Sequence, residues 1–384
     1  MSFSRSSTSA SSATARLPGF LRPENASSRV EAHNKLFSQL NQLEASRLQA
    51  GRVQNSPFTT AHALLPSTRD LNRYADILPY KHTQVVVGTS TVSTDVTTAA
   101  TSQQPTQTYI NANRISAPLT LQSSLPKDFP GYIATQAPLP HTQARFWRMV
   151  YEQNVHVIVC LTAVSPVRVM RSMKAEQYWP QPGWTDPFFL DLHVKNLDAT
   201  DQQDVVVYRH FEVWNPQLDP ATAPKRQVLL VHYQGWPDHG VPEDTKDLRD
   251  ILYSIRAWKA EQQSLDPSKK KDFGPIVVNC SAGCGRTGTF CVVDTALSVL
   301  EYIGYPYLRA LSSNSNMNTT VKGIDQAQSL ELQEQKALNG VYDWHSDRDI
   351  IYEILSSFRQ DRMLMVQTAT QYSFCYQVIR DLCQ

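Results

Sequence analysis

An α/β (α+β) fold, one sheet covered by helices, is what the order of apolar patterns in this sequence predicts. Three observations carry the prediction. The middle of the chain holds nearly continuous apolar runs of strand length: VHVIVCL at 155–161, VVVYRHFEVW at 205–214, VLLVHY at 228–233 and PIVVN at 275–279. The last third instead carries helix-like patterns, over 245–260, 288–303, 347–361 and 368–383. At 384 residues the chain has room for one large domain with extensions, in which such strands lie beneath a layer of helices.

In chain order, residues 1–28 are dominated by Ser, Thr and Ala and are expected to be a disordered tail, leaving 29–384 as the folded domain. Leu36, Leu40, Leu43 and Leu48 recur near helical spacing, which predicts a helix over 30–49. VVV at 85–87 and YINANRI at 109–115 read as sheet strands. Between them, in residues 89–108, eleven of twenty residues are Ser or Thr and Asp95 is the only charge, so too little apolar surface is on hand to offset ordering entropy. This stretch is expected to be a flexible insertion, as is the polar stretch near 311–340. A helix is predicted from 143 to 153, and FFLDLHV at 188–194 reads as one further strand.

Composition excludes several classes. Lys plus Arg is 36 and Asp plus Glu is 35, a balance that argues against binding nucleic acid through bulk charge. Six cysteines show no CxxC pair and no His/Cys cluster with zinc-ligand spacing, so neither a disulfide scaffold nor a metal site is expected. The first residues hold no apolar run fit for a leader, and no stretch approaches a membrane span. A reducing, cytoplasmic setting without membrane contact is the expectation.

The chemistry is concentrated in PIVVNCSAGCGRTGTFCVVDTAL, residues 275–297. An apolar strand ends at Asn279, the small-residue loop Cys280-Ser281-Ala282-Gly283-Cys284-Gly285-Arg286 follows, and Thr287 leads into an amphipathic helix. Gly283 and Gly285 let the backbone curl so that successive N–H groups point inward, and such a nest at a helix N-terminus binds anions. The Arg286 guanidinium is a planar fork matched to two phosphate oxygens. Cys280 would then lie at the floor of a phosphate-sized cup whose N–H groups, helix dipole and guanidinium all favour a thiolate. A thiolate beneath a bound phosphoryl group implies attack on phosphorus and a cysteinyl-phosphate intermediate.

CSAGCGRTG resembles the phosphate-binding loop of the cysteine-dependent, tyrosine-specific (non-receptor type) protein phosphatases. Other segments match that family in its order: LNRYADILPY at 71–80, YINAN at 109–113, GYIATQAPLPHTQARFW at 131–147, QYWP at 177–180, GWPDHGVP at 235–242 and QTATQYSFCY at 367–376. The resemblance covers about residues 35–384 and implies a highly twisted mixed sheet flanked by helices. It implies Asp238 as the acid that protonates the departing oxygen and later acts as base on water. Gln367 and Gln371, at i and i+4 on one helical face, would place that water. Thr287 would donate its hydroxyl to the departing thiolate. Tyr74 would wall a pocket deep enough for phosphotyrosine, Asp76 would grip the substrate backbone, and Lys174 would lie near the rim. Ser281, Ala282, Gly283, Cys284 and Gly285 would line the cup. No cofactor is implied, and the partners would be phosphotyrosine-containing proteins met by a monomer.

Two departures stand out. Asn279 occupies the position at which the family carries histidine, so the Cys280 thiol is expected to be less acidic than is usual there. Between Leu161 and Ala175 there is no carboxylate of the kind that commonly supports the phosphate-binding arginine, so Arg286 would be held less firmly. Cys284 is read as a small filler, or else as a second thiol for an oxidised Cys280. A phosphotyrosine-binding pseudophosphatase and a dual-specificity phosphatase remain as alternatives.

Overall fold

The computed structural model describes residues 17–22, 26–53, 55–88, 107–164, 175–189, 191–198, 204–221, 223, 225–238, 240–265, 267, 272–306, 308 and 342–383. Most of the region expected to be the first insertion (89–106), the second (311–340) and Lys174 lie outside these residues.

Nine strands form one mixed sheet among the described residues: β1 (Gln84–Gly88), β2 (Gln107–Ile115), β3 (Tyr132–Thr135), β4 (Val157–Cys160), β5 (Thr185–Phe189), β6 (Leu192–Asn196), β7 (Val206–Trp214), β8 (Arg226–Tyr233) and β9 (Ile276–Asn279). Their spatial order is β1-β2-β3-β9-β4-β8-β7-β6-β5. The four central strands β3, β9, β4 and β8 pair in parallel, while the flanking pairs are antiparallel. Every residue of β3, β4 and β9 is buried, as a parallel centre covered on both faces requires. Parallel strands also end on one edge, so the loops after β3, β4, β8 and β9 gather there. That carboxyl edge is where open sheets of this kind bind ligands.

Alternation along the strands sorts the side chains into two cores. Val157 and Val159 of β4, with Ile276 and Val278 of β9, face helices α3 (Lys246–Ser264), α4 (Gly285–Tyr302), α5 (Ile350–Asp361) and α6 (Ala369–Leu382). Ile158, Cys160 and Val277 face helix α2 (Gln143–Glu152), which contributes Phe146, Trp147, Met149 and Val150. The α2 register is fixed by Trp147, whose indole N–H donates to the Tyr178 carbonyl at 2.7 Å. Helix α4 runs through the middle of the first core with 15 of its 18 residues buried, so the side chains at its start are held by a rigid element. Among the described residues, no helix is long and apolar enough to cross a membrane.

The expected strands and helices are present, with two corrections. FFLDLHV is not one strand: β5 and β6 are separate antiparallel strands whose last pair is Phe189 and Leu192. Asp191 sits between them because its carboxylate is taken by the Arg148 guanidinium of α2, at 2.9 Å from Nη1. Residues 17–22, expected to belong to the tail, are instead packed against the domain. Leu17 and Leu21 are buried in the main core, Gly19 N–H donates to the Trp344 carbonyl at 3.0 Å, and helix α1 (Ala26–Ala50) begins before residue 29. Two leucines in a Ser-rich window are too few to shift an average, yet enough to join the core cluster that holds Trp344.

That packing is testable. Leu21→Ala should cost about 2–5 kcal/mol, the usual range for truncating a buried leucine. A free tail would leave the denaturation midpoint where it is in the unaltered chain.

Candidate active site

The site grows from the end of β9. Asn279 is buried, and its side chain is fixed from both sides: the Tyr178 hydroxyl donates to Oδ1 at 2.8 Å, and Nδ2 donates to the Cys280 carbonyl at 3.4 Å. The chain then turns through Cys280–Cys284 into α4. At Gly283 φ is +73°, and a Cβ there would stand 2.2 Å from the Thr135 carbonyl oxygen, so only glycine fits.

Each carbonyl of this loop finds its donor outside it. The Ser281 carbonyl accepts from Ala137 N–H at 2.9 Å, and the Cys284 carbonyl from Gly288 N–H at 2.7 Å and Val366 N–H at 3.2 Å. The Ala282 and Gly283 carbonyls accept from Nη2 and Nε of Arg362, at 3.0 and 2.8 Å. With the carbonyls turned outward, the N–H groups of the same peptides face the interior of the cup. Arg362 itself is fully buried; Asn113 of β2 accepts from its Nη1 at 2.7 Å, and Asn111 of β2 accepts from Nη2 at 2.9 Å, beside the bond Nη2 makes to Ala282.

Cys280 is 3% exposed at the floor. Burial alone pushes its thiol up, but the Arg286 charge, the Thr287 hydroxyl and the N–H groups of Thr287 and Cys284 outweigh it, and the thiol is lowered overall. The Thr287 hydroxyl is buried and is one of the groups that lower the Cys280 thiol. Neighbouring thiols behave oppositely: burial raises Cys284 and Cys160 each to about 11. Asn279 therefore does not prevent a lowered thiol. Cys284 is buried, with its sulfur against the Ala282 carbonyl.

Arg286 is 4% exposed, with Nη1 donating to the Trp236 carbonyl at 3.2 Å and Nη2 to Asp238 Oδ1 at 3.1 Å. The support expected from the β4 loop is thus supplied from the loop after β8. Trp236 anchors that loop: its indole is buried and donates to the Gly240 carbonyl at 3.1 Å. Asp238 remains about one third exposed above the cup. Gln367 and Gln371 close the far side. A Cβ on Gly285 would lie 2.7 Å from Gln367 Oε1 and 3.0 Å from Gln371 Oε1, so both amides lie against the first turn of α4. Gln371 also ties the parts together, accepting from Gln367 N–H at 3.0 Å and donating to the Gly240 carbonyl at 3.4 Å.

Tyr74 meets the cup through a 2.7 Å hydroxyl contact with Ser281. Its loop is pinned by Arg73, which donates to the Ala137 and Pro138 carbonyls at 3.0 Å each and pairs with Glu176. Gln136 bridges the same loop to β3, accepting from Arg73 N–H at 2.8 Å and donating to the Leu71 carbonyl at 2.9 Å. Asp76 is exposed two residues beyond Tyr74. Sequence reasoning missed Arg362, Asn111, Asn113, Arg73 and Gln136. The one legible signal was the pair of amides at i and i+2 in YINAN, on one face of a strand that should be buried.

The charge balance at Cys280 yields a direct expectation. Alkylation of Cys280 by iodoacetate should titrate below the range of a free cysteine, and Arg286→Ala should move that titration to higher pH, because the guanidinium is the first of the groups opposing burial. Coincident curves for the two proteins would remove Arg286 from the account.

Comparisons with known proteins give the family. A family model described as protein-tyrosine phosphatase matches residues 68–346 and 344–381. The chain is 31% identical over 245 residues to the mouse tyrosine-protein phosphatase non-receptor type 4, covering 64% of this chain and 22% of the relative. It is 29% identical over 365 residues to tyrosine-protein phosphatase 3 of Dictyostelium discoideum, covering 94% and 29%. It is 33% identical over 320 residues to the mouse receptor-type tyrosine-protein phosphatase eta, covering 83% and 19%. The chain thus spans less than a third of the length of these relatives. With its Cys280–Arg286 loop, its Trp-Pro-Asp loop and its paired glutamines on one sheet edge, the chain belongs to the protein-tyrosine phosphatase family.

Proposed function

We propose that this chain hydrolyses phosphotyrosine in proteins through a phosphocysteine intermediate. The observation that carries the reading is a buried thiol with a lowered pKa at the floor of an N–H-lined cup, facing a fixed guanidinium. A phosphate dianion entering the cup would accept from the loop N–H groups and from the Arg286 fork. It would compete for Nη2, which Asp238 now occupies at 3.1 Å, and so free the Asp238 carboxyl to turn toward the ester oxygen.

In the first step the Cys280 thiolate attacks phosphorus, the P–O bond to the tyrosyl oxygen breaks, and Asp238 gives that oxygen its proton. In the second, a water held by Gln367 and Gln371 attacks phosphorus while Asp238 takes its proton. The S–P bond breaks, and the returning thiolate is met by the Thr287 hydroxyl. Every group in this sequence belongs to the chain itself. Tyr74, seated over Ser281, supplies the side wall for a phenyl ring and sets a depth that a phosphoserine side chain does not span. In the same reading the chain acts as a monomer in the cytoplasm, a reducing setting in which its six unpaired thiols persist.

Cys280→Ser should abolish release of phosphate from a phosphotyrosine peptide while keeping affinity for it, since the cup survives. Substantial turnover by that variant would rule out the chemistry. Asp238→Ala should lower kcat by roughly two to four orders of magnitude, with a smaller loss for aryl phosphates whose phenol is very acidic. Binding of phosphotyrosine peptide by the unaltered protein with no phosphate release would instead favour a binding module. Equal rates on phosphotyrosine and phosphoserine peptides would overturn the role given to Tyr74.

A further inference from the structure

Between α5 and α6 the backbone holds two non-glycine residues at positive φ, Leu364 at 58° and Val366 at 59°. For a β-branched residue such as Val366 this conformation is strained, and it persists only where its surroundings impose it. Here the imposing group is Arg359. Its side chain is 1% exposed, and it donates to the Met365 carbonyl at 2.9 Å from Nε and to the Val366 carbonyl at 2.7 Å from Nη2. On its other side the turn is tied to the cup by the 3.2 Å bond from Val366 N–H to the Cys284 carbonyl. The next residue is Gln367.

Arg359 is in turn held by α1. Asn41 Oδ1 accepts from its Nη1 at 2.9 Å, Glu44 Oε2 stands 4.0 Å from its Nε, and the Phe37 ring lies 5.1 Å beneath its guanidinium carbon. Glu44 is itself buried and fixed by the Tyr80 hydroxyl at 2.8 Å and Arg47 at 3.3 Å. Helix α1 precedes the residues matched by the family model.

We propose that Arg359 is a positioning residue for the second chemical step, and that α1 is part of the active machinery through it. Clamped by Asn41, Glu44 and Phe37, the guanidinium fixes the 364–366 turn and with it the place at which Gln367 presents its amide to the attacking water. This rests on the phosphatase reading above. The first step needs the thiolate, Arg286 and Asp238, which β9, α4 and the Trp236 loop place. Only hydrolysis of the phosphocysteine needs the water.

The test is rapid-mixing kinetics with p-nitrophenyl phosphate, which reads formation of the phosphoenzyme as a burst of phenol and its hydrolysis as the steady rate. Arg359→Lys keeps the charge but cannot reach both carbonyls. It should slow hydrolysis roughly ten- to a hundred-fold while the burst rate stays within about two-fold, so that the burst amplitude approaches one per enzyme. Asn41 is exposed, so Asn41→Ala leaves the core intact and decides the matter if Arg359→Lys does not fold. It should slow the same step by roughly two- to five-fold, and Asn41→Asp, which keeps the acceptor, should restore it. Unchanged hydrolysis in the folded variants, or a burst slowed as much as hydrolysis, overturns the proposal. Absence of burst and turnover in the unaltered protein overturns the phosphatase reading instead.

Discussion

A ring of backbone N–H groups can converge on an anion only if the carbonyls of the same peptides point away and find donors there. The loop 280–284 depends on that condition. Arg362 meets the largest share of it, giving two bonds to the Ala282 and Gly283 carbonyls while Asn113 accepts from Nη1 and Asn111 from the shared Nη2. A fully buried guanidinium with no carboxylate beside it would be costly in an apolar core. Surrounded by acceptors it is satisfied, and it adds positive charge behind the cup. The sheet serves the same end, because β2 and β3 place the amides and the Thr135 carbonyl against which the loop is moulded.

The same cup separates thiols of one chemical type. Cys160, Cys280 and Cys284 are all buried, and burial disfavours a thiolate in each. Only Cys280 collects a guanidinium, a hydroxyl and two N–H groups on its sulfur side, and only there do they exceed the cost of desolvation. Asn279 contributes as a brace between Tyr178 and the Cys280 carbonyl rather than as a charge. The Arg286–Asp238 pair lays the Trp236 loop over the guanidinium, at the place where a phosphate would compete for it in the proposed mechanism.

Much of this was legible in the sequence, for reasons that differ by residue. The apolar runs of β4, β8 and β9 could only be buried strands, and Gly283 announced a turn that no other residue fits. Cys280, Arg286, Thr287, Asp238, Gln367 and Gln371 were found through motifs, and the structure brings them to one edge. Arg362, Arg359 and Arg73 were not legible. An arginine at a helix end or in a loop reads as solvated surface, and its burial depends on amides and carbonyls supplied from distant parts of the chain. The break between β5 and β6 was hidden for a similar reason, since Asp191 interrupts an apolar run only by virtue of Arg148 on α2. Leu17 and Leu21 were lost in the composition of their neighbours.

The central claim is a covalent one, that the lowered thiol of Cys280 takes the phosphoryl group. The most direct measurement is acid quenching of the protein during turnover of a phosphotyrosine peptide, followed by mass spectrometry of its proteolytic fragments. The account predicts one added phosphoryl group on the fragment that carries Cys280, present during turnover and gone when substrate is exhausted. Release of phosphate at full rate with Cys280 unmodified at every quench time would contradict it.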